Sequence, residues 1–203
     1  MIEPGLWDTV MRLRSRGISD TRIIAAIERA PRSRFVPDAL RARAYHESPL
    51  PIPCGQAMLS PLATAQLAQL LDVRDTDKTL LVGLGSGYLA ALLAPLARRV
   101  YAVDRYRELV RFADGNLARA GVAGVVTRHG DGRLGWRGQA PFDRIVVACG
   151  LLSPPKALMS QLADGGRLLA SLGGTLSHYD GTVWTPVFPL ALPPVEPGRS
   201  AAL

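Results

Sequence analysis

Thr79-Leu80-Leu81-Val82-Gly83-Leu84-Gly85-Ser86-Gly87-Tyr88 decides how this chain folds. The first four residues favour extended backbone, and an alanine- and leucine-rich run after the glycines reads as a helix. A buried strand ending in a glycine-rich turn brings main-chain N–H groups and a helix N-terminus close to a ligand. A side chain larger than hydrogen at Gly83, Gly85 or Gly87 is expected to hold that ligand off. The turn therefore reads as a nucleotide-type cofactor site.

The spacing is G-x-G-x-G, with Tyr88 where a dinucleotide fingerprint wants glycine. That points away from NAD and FAD and towards S-adenosylmethionine (SAM), whose methyltransferases use a looser pattern. The plainer alternative for the turn, taken alone, is a tight strand-to-helix corner. The next strand, Arg99-Val100-Tyr101-Ala102-Val103-Asp104, ends on a carboxylate about 20 residues further on, as a ribose-binding acid should. The plain alternative for Asp104 is an N-cap for the helix that begins near Tyr106.

Strands are expected at 79–83, 99–104, 124–128, 143–148 and 166–171, and helices at 87–97, 106–120 and 155–162. This alternation gives an α/β fold with a doubly wound, mostly parallel sheet, Rossmann-like as in SAM-dependent methyltransferases. Ligands of such sheets sit at the carboxyl ends of the strands, where Gly83–Gly87, Asp104, Asp131 and Ala148–Gly150 all fall. Beyond Leu172, Gly173-Gly174 and Asp180-Gly181 mark turns, and 183–188 reads as a strand, so an antiparallel hairpin closes the sheet.

Ahead of the sheet lies a helical region. Leu6, Trp7, Val10, Met11 and Leu13 form one stripe, and Gly17 ends that helix. Ser19 or Asp20 caps the next, which carries Ile23, Ile24 and Ile27. A short helix is expected from Asp38 to about Tyr45. Residues 47–59 hold prolines 49, 51 and 53, which exclude regular helix and suggest a functional loop. Ser60-Pro61 opens a helix with serine at the N-cap. The chain thus divides into a helical and substrate-loop region (1–77), a cofactor-binding α/β region (78–190) and a tail (191–203). Together they form one structural domain. The proline-rich tail reads as disordered.

Composition narrows the function. The 203 residues are 48% hydrophobic, enough for a sizeable core. No run approaches the ~18 apolar residues of a membrane span. Met1-Ile2-Glu3-Pro4 carries no secretory pattern, so a cytoplasmic protein is expected. Cys54 and Cys149 stand apart as reduced thiols, and His46, His129 and His178 do not cluster, so neither disulfide nor metal is expected. The net charge of +7 fits attraction to acidic peptides. Arginines are scattered and not interleaved with aromatics, so no nucleic-acid partner is expected.

Several motifs, in order along nearly the whole chain, resemble the protein-L-isoaspartate (D-aspartate) O-methyltransferases. They include Pro31-Arg32-Ser33-Arg34-Phe35-Val36-Pro37, Gly55-Gln56, Gly85-Ser86-Gly87-Tyr88, Arg128-His129-Gly130-Asp131-Gly132 and Gly165-Gly166-Arg167-Leu168. The resemblance implies methyl transfer from SAM to the carboxylate of L-isoaspartyl and D-aspartyl residues in damaged proteins, by a monomer. It implies that Gly83, Gly85, Ser86 and Gly87 surround the methionine part of SAM, that Asp104 holds the ribose, and that Asp131, with Gly132, takes the adenine amino group. The family follows Gly-Gln with Thr-Ile-Ser; here Ala57-Met58-Leu59 stands instead, and both hydroxyls are gone. The candidate catalytic residues are then Gln56 and Ser60, the latter reading more strongly as an N-cap. Leu81 replaces an acidic residue of the family, and Ala148-Cys149-Gly150-Leu151-Leu152 departs from a Thr-Ala-Ala-Ala-Pro-like run. A methyltransferase of another carboxylate or small molecule, or a non-catalytic SAM-binding protein, are the alternative readings.

Overall fold

The computed structural model describes residues 3–198 and residue 200. Helices α1 (Leu6–Ser15) and α2 (Thr21–Arg29) come first, then two 3-10 turns over Arg32–Phe35 and Asp38–Arg43. A two-stranded hairpin follows, β1 (Leu50–Ile52) and β2 (Gln56–Met58), then α3 (Pro61–Leu71). The main sheet begins with β3 (Lys78–Val82), α4 (Tyr88–Leu93), β4 (Arg99–Asp104), α5 (Arg107–Ala120) and β5 (Val125–His129). It ends with β6 (Phe142–Leu151), α6 (Lys156–Met159), β7 (Leu162–Leu172), β8 (Thr175–Tyr179) and β9 (Trp184–Pro189).

The sheet order is β5-β4-β3-β6-β7-β8-β9. Strands β3 to β7 run parallel, and β8 and β9 complete the sheet antiparallel, as the turn signals after Leu172 require. Successive connections from β3 move first towards β5 and then, through β6, the other way. The switch point lies between β3 and β6, and the carboxyl ends there leave a crevice. Strand β3 is buried from Thr79 onward, as a central parallel strand should be. Side chains alternate between the two faces: Leu81 joins the larger core with the N-terminal helices, and Leu80 and Val82 join the smaller one.

Several expectations are corrected. Helix α1 buries Leu6, Thr9, Val10 and Leu13, while Trp7 and Met11 are 64% and 51% exposed. Each sits about 100° round the helix from a buried neighbour, which takes it off the core face. The expected helix over 87–97 is regular only to Leu93, and that over 155–162 only from Lys156 to Met159. Residues 47–59 are not irregular throughout, since Leu50, Ile52 and Met58 bury themselves by pairing β1 with β2. Cys54 and Gly55 turn that hairpin at φ 61° and 65°.

The largest departure is the tail. Its described part is not a free chain end but runs against the sheet: Pro194 bridges Gly150 in parallel, and Val195 N donates to Gly150 O at 2.9 Å. The reading of the tail at positions 199 and 201–203, and that of Met1-Ile2, lie outside the described residues. Among the described residues no helix is long and apolar enough to cross a membrane.

Candidate functional site

One cavity opens at the carboxyl ends of β3, β4 and β6. Gly83, Gly85 and Ser86 form its floor, Asp104 and Gly132 one side, and the β1–β2 hairpin with Leu59 and Thr64 the other. The segment 193–196 closes part of the rim.

The three glycines of the turn do different work. At Gly83 a Cβ would stand 2.8 Å from Cys149 Sγ, and at Gly87 it would stand 3.2 Å from Ala113 Cβ on α5. Those two positions are held small by neighbouring strands and helix. Only at Gly85 does the missing side chain leave room towards the cavity, its nearest neighbour being Ile52 Cδ1 at 3.6 Å. Gly85 also has φ 55°, the left-handed region a side chain resists. The expectation that all three glycines keep side chains off a ligand thus narrows to Gly85, and Gly87 does not line the cavity.

Two side chains tie the turn in place. Asp104 is 6% exposed and accepts from Gly85 N and from Tyr106 N, each at 3.0 Å, one on each carboxylate oxygen. Burial pushes its carboxyl above the ordinary range, against the pull of these and neighbouring N–H groups. Asp104 therefore orients the turn and the start of α5, and it lines the cavity. Asn116, fully buried on α5, donates to Ser86 O at 2.8 Å. Its position is invisible to pattern reading, because an asparagine inside a helix carries no motif.

On the opposite wall, Gln56 reaches the cavity and its Nε2 donates to Cys54 O at 3.4 Å. Ser60 does not line the cavity; its hydroxyl accepts from Ala63 N at 3.2 Å as the N-cap of α3. Thr64, one turn on, does line the cavity; it is 2% exposed, and its hydroxyl donates to Ser60 O at 2.9 Å. Thr64 lies four residues after a capping serine on the same helix face, the signal that would have marked it. Beneath Leu59, Arg32 is fully buried: its Nη2 donates to Leu59 O, its Nε to Ala44 O at 2.6 Å, and its guanidinium lies 5.1 Å from the Tyr88 ring centre. Among the described residues its Nη1 has no partner. Burial lowers the guanidinium to about 10, so it remains charged at neutral pH. It thereby links the loop ending at Leu59 to Tyr88, which follows the glycine turn.

Cys149 faces the cavity, and burial pushes its thiol up to about 12. It is protonated at neutral pH and is no nucleophile. Asp131 lies off the cavity wall, with Oδ1 accepting from Arg133 N at 2.9 Å and Oδ2 from Gly198 N at 2.8 Å. Gly132 lines the wall, and a Cβ there would fall 2.6 Å from Val82 Cγ1.

Residues 7–179 match the family model described as Protein-L-isoaspartate(D-aspartate) O-methyltransferase (PCMT). The protein-L-isoaspartate O-methyltransferase of Maricaulis maris is 39% identical, over 99% of this chain and 98% of its own. That of Rhodospirillum rubrum is 46% identical, over 81% of this chain and 75% of its own. Among solved structures, a protein-L-isoaspartate O-methyltransferase superposes with TM-score 0.82 at 21% identity, over 94% of this chain. This chain spans 66% of that one's length. A putative protein-L-isoaspartate O-methyltransferase from Plasmodium falciparum, in complex with S-adenosyl-L-homocysteine, gives 0.77 at 20% identity, over 93% and 97%. At such identities the structural likeness speaks for the fold.

Proposed function

Since the chain belongs to the protein-L-isoaspartate(D-aspartate) O-methyltransferase family, we propose that it methylates the free carboxylate of isoaspartyl and D-aspartyl residues in damaged proteins, with SAM as donor. The residues present fit that cofactor. Gly85 leaves a gap that a side chain would fill, and Asp104 offers a carboxylate whose orientation two N–H groups already fix. Gly83, Gly85, Ser86 and Gly132 are assigned to its cradle, Asp104 to its ribose hydroxyls and Asp131 to its adenine amino group. Gly87 serves by packing the turn on α5.

When bound, SAM supplies a methyl group on a reactive sulfonium. The acceptor carboxylate is already ionised at neutral pH, so no side chain needs to remove a proton. What the chain contributes is alignment and exclusion of water. Leu59 and Met58 give an apolar wall, and Gln56 and Thr64 are the groups assigned to orient the acceptor. Ala57 and Leu59 both line the cavity where the family carries hydroxyls. Each lost hydrogen bond to a charged group costs about 1.5–3 kcal/mol, or roughly ten- to a hundredfold in rate, so slow turnover is expected. The chain is taken to work as a monomer in the cytoplasm, as one structural unit of regions 1–77, 78–190 and 191–203, with peptides rather than nucleic acid as partners.

The convergence of Gly85, Asp104 and Gln56 on one cavity carries this reading. Incubation with labelled SAM and an isoaspartyl peptide should give a base-labile methyl ester. Label no higher than on the matching aspartyl peptide would overturn it.

A further inference from the structure

We propose that the segment 192–198 is a strap that holds the adenine end of the cofactor site closed until the cofactor displaces it. The proposal rests on the SAM reading above and adds a regulatory element to it.

The strap is seated by main-chain bonds at the end of β6. Gly150 N donates to Pro193 O at 2.7 Å, and Val195 N donates back to Gly150 O at 2.9 Å. The seat exists because residue 150 is glycine: a Cβ there would stand 2.5 Å from Leu192 O. This glycine lies in the run that departs from the family pattern. Further along, Glu196 pairs with the Arg105 guanidinium, which also donates to Pro197 O at 3.3 Å. The N–H of residue 200 donates to Arg105 O at 2.9 Å.

The decisive contact is at Asp131. Gly198 N donates to its Oδ2 at 2.8 Å, and its Oδ1 is already engaged by Arg133 N. An adenine amino group asks for the same acceptor. With the strap in place Asp131 is off the cavity wall, while Pro193, Pro194, Val195 and Glu196 are on it. Reaching Asp131 requires the strap to leave. Its prolines hold it extended, so seating it orders few free torsions. Its hold is a set of hydrogen bonds and one ion pair, with little apolar burial, which places it among the segments that open most easily. A site available only in the open fraction binds with an affinity reduced by that fraction.

Gly150→Ala and Gly198→Pro, each in the full chain, test this without altering a residue of the cavity wall. The first crowds the seat; the second removes the N–H that Asp131 receives. Calorimetry with S-adenosylhomocysteine should show both variants binding about three- to tenfold tighter than the parent. In the unmodified chain, the Val195 and Gly198 amides should exchange hydrogen faster once the ligand is added. Equal or weaker binding by variants that melt like the parent, or slower exchange at those amides, overturns the strap. A parent chain that binds no S-adenosylhomocysteine would instead defeat the SAM reading.

Discussion

A glycine motif hides different physical demands under one letter. Gly85→Ala has space for its methyl group but must hold φ near 55°, at a cost of about 1–2 kcal/mol, and it intrudes on the proposed cofactor cradle. Gly83→Ala additionally meets Cys149 Sγ at 2.8 Å. Denaturant unfolding should therefore show Cys149→Ala restoring about 1 kcal/mol in the Gly83→Ala background and nothing in the Gly85→Ala background. Asp104 brings a pH dependence with a definite sign. Its folded value is raised by burial, so its contribution to stability declines as pH rises from the unfolded value of about 3.9 through the folded one. On the proposed ribose assignment, cofactor binding runs the other way, because ribose hydroxyls donate best to the ionised form. S-adenosylhomocysteine affinity should fall as pH drops through the raised value. Asp104→Asn should bind about tenfold more weakly at neutral pH and show no such fall.

Among the elements, α3 carries a capping hydroxyl and another that we propose meets the substrate. Ser60 caps the helix and Thr64 lines the cavity. Ser60→Ala should cost about 1 kcal/mol in denaturant unfolding and leave kcat for an isoaspartyl peptide nearly unchanged. Thr64→Val should do the reverse, lowering kcat roughly tenfold with a smaller change in stability. Equal kinetic damage from both would contradict the assignment. The β1–β2 hairpin shows why prolines 49, 51 and 53 did not prevent strand pairing. The pair is an isolated two-stranded edge, so Pro51 can point outward while Leu50 and Ile52 go in.

At the scale of the molecule, a net charge of +7 surrounds a site whose substrate is a carboxylate. Long-range attraction of this kind acts on encounter and is screened by salt. For an acidic isoaspartyl peptide, kcat/KM should fall severalfold between about 0.05 M and about 0.5 M salt. For an uncharged analogue it should stay nearly flat. A common response would mean that the arginines serve only as a solvated surface.

The order of strands and helices was legible in the residues, because burial on both faces of a parallel sheet writes apolar runs and turn glycines into the sequence. So were Asp104 at the end of β4 and the Ser60 N-cap, since both follow from local spacing. What only the tertiary structure decided is which groups meet across the crevice. Thr64 on the cavity wall, Asn116 behind Ser86, and Arg32 beneath Leu59 depend on contacts between residues 27 to 30 or more positions apart or on which face of a helix turns inward. The tail shows the limit most clearly. Its prolines read as disorder, yet a single missing Cβ at Gly150, some 40 residues earlier, gives it a place to lie. Local sequence fixes local conformation, whereas the room available to a segment is set by atoms far from it along the chain.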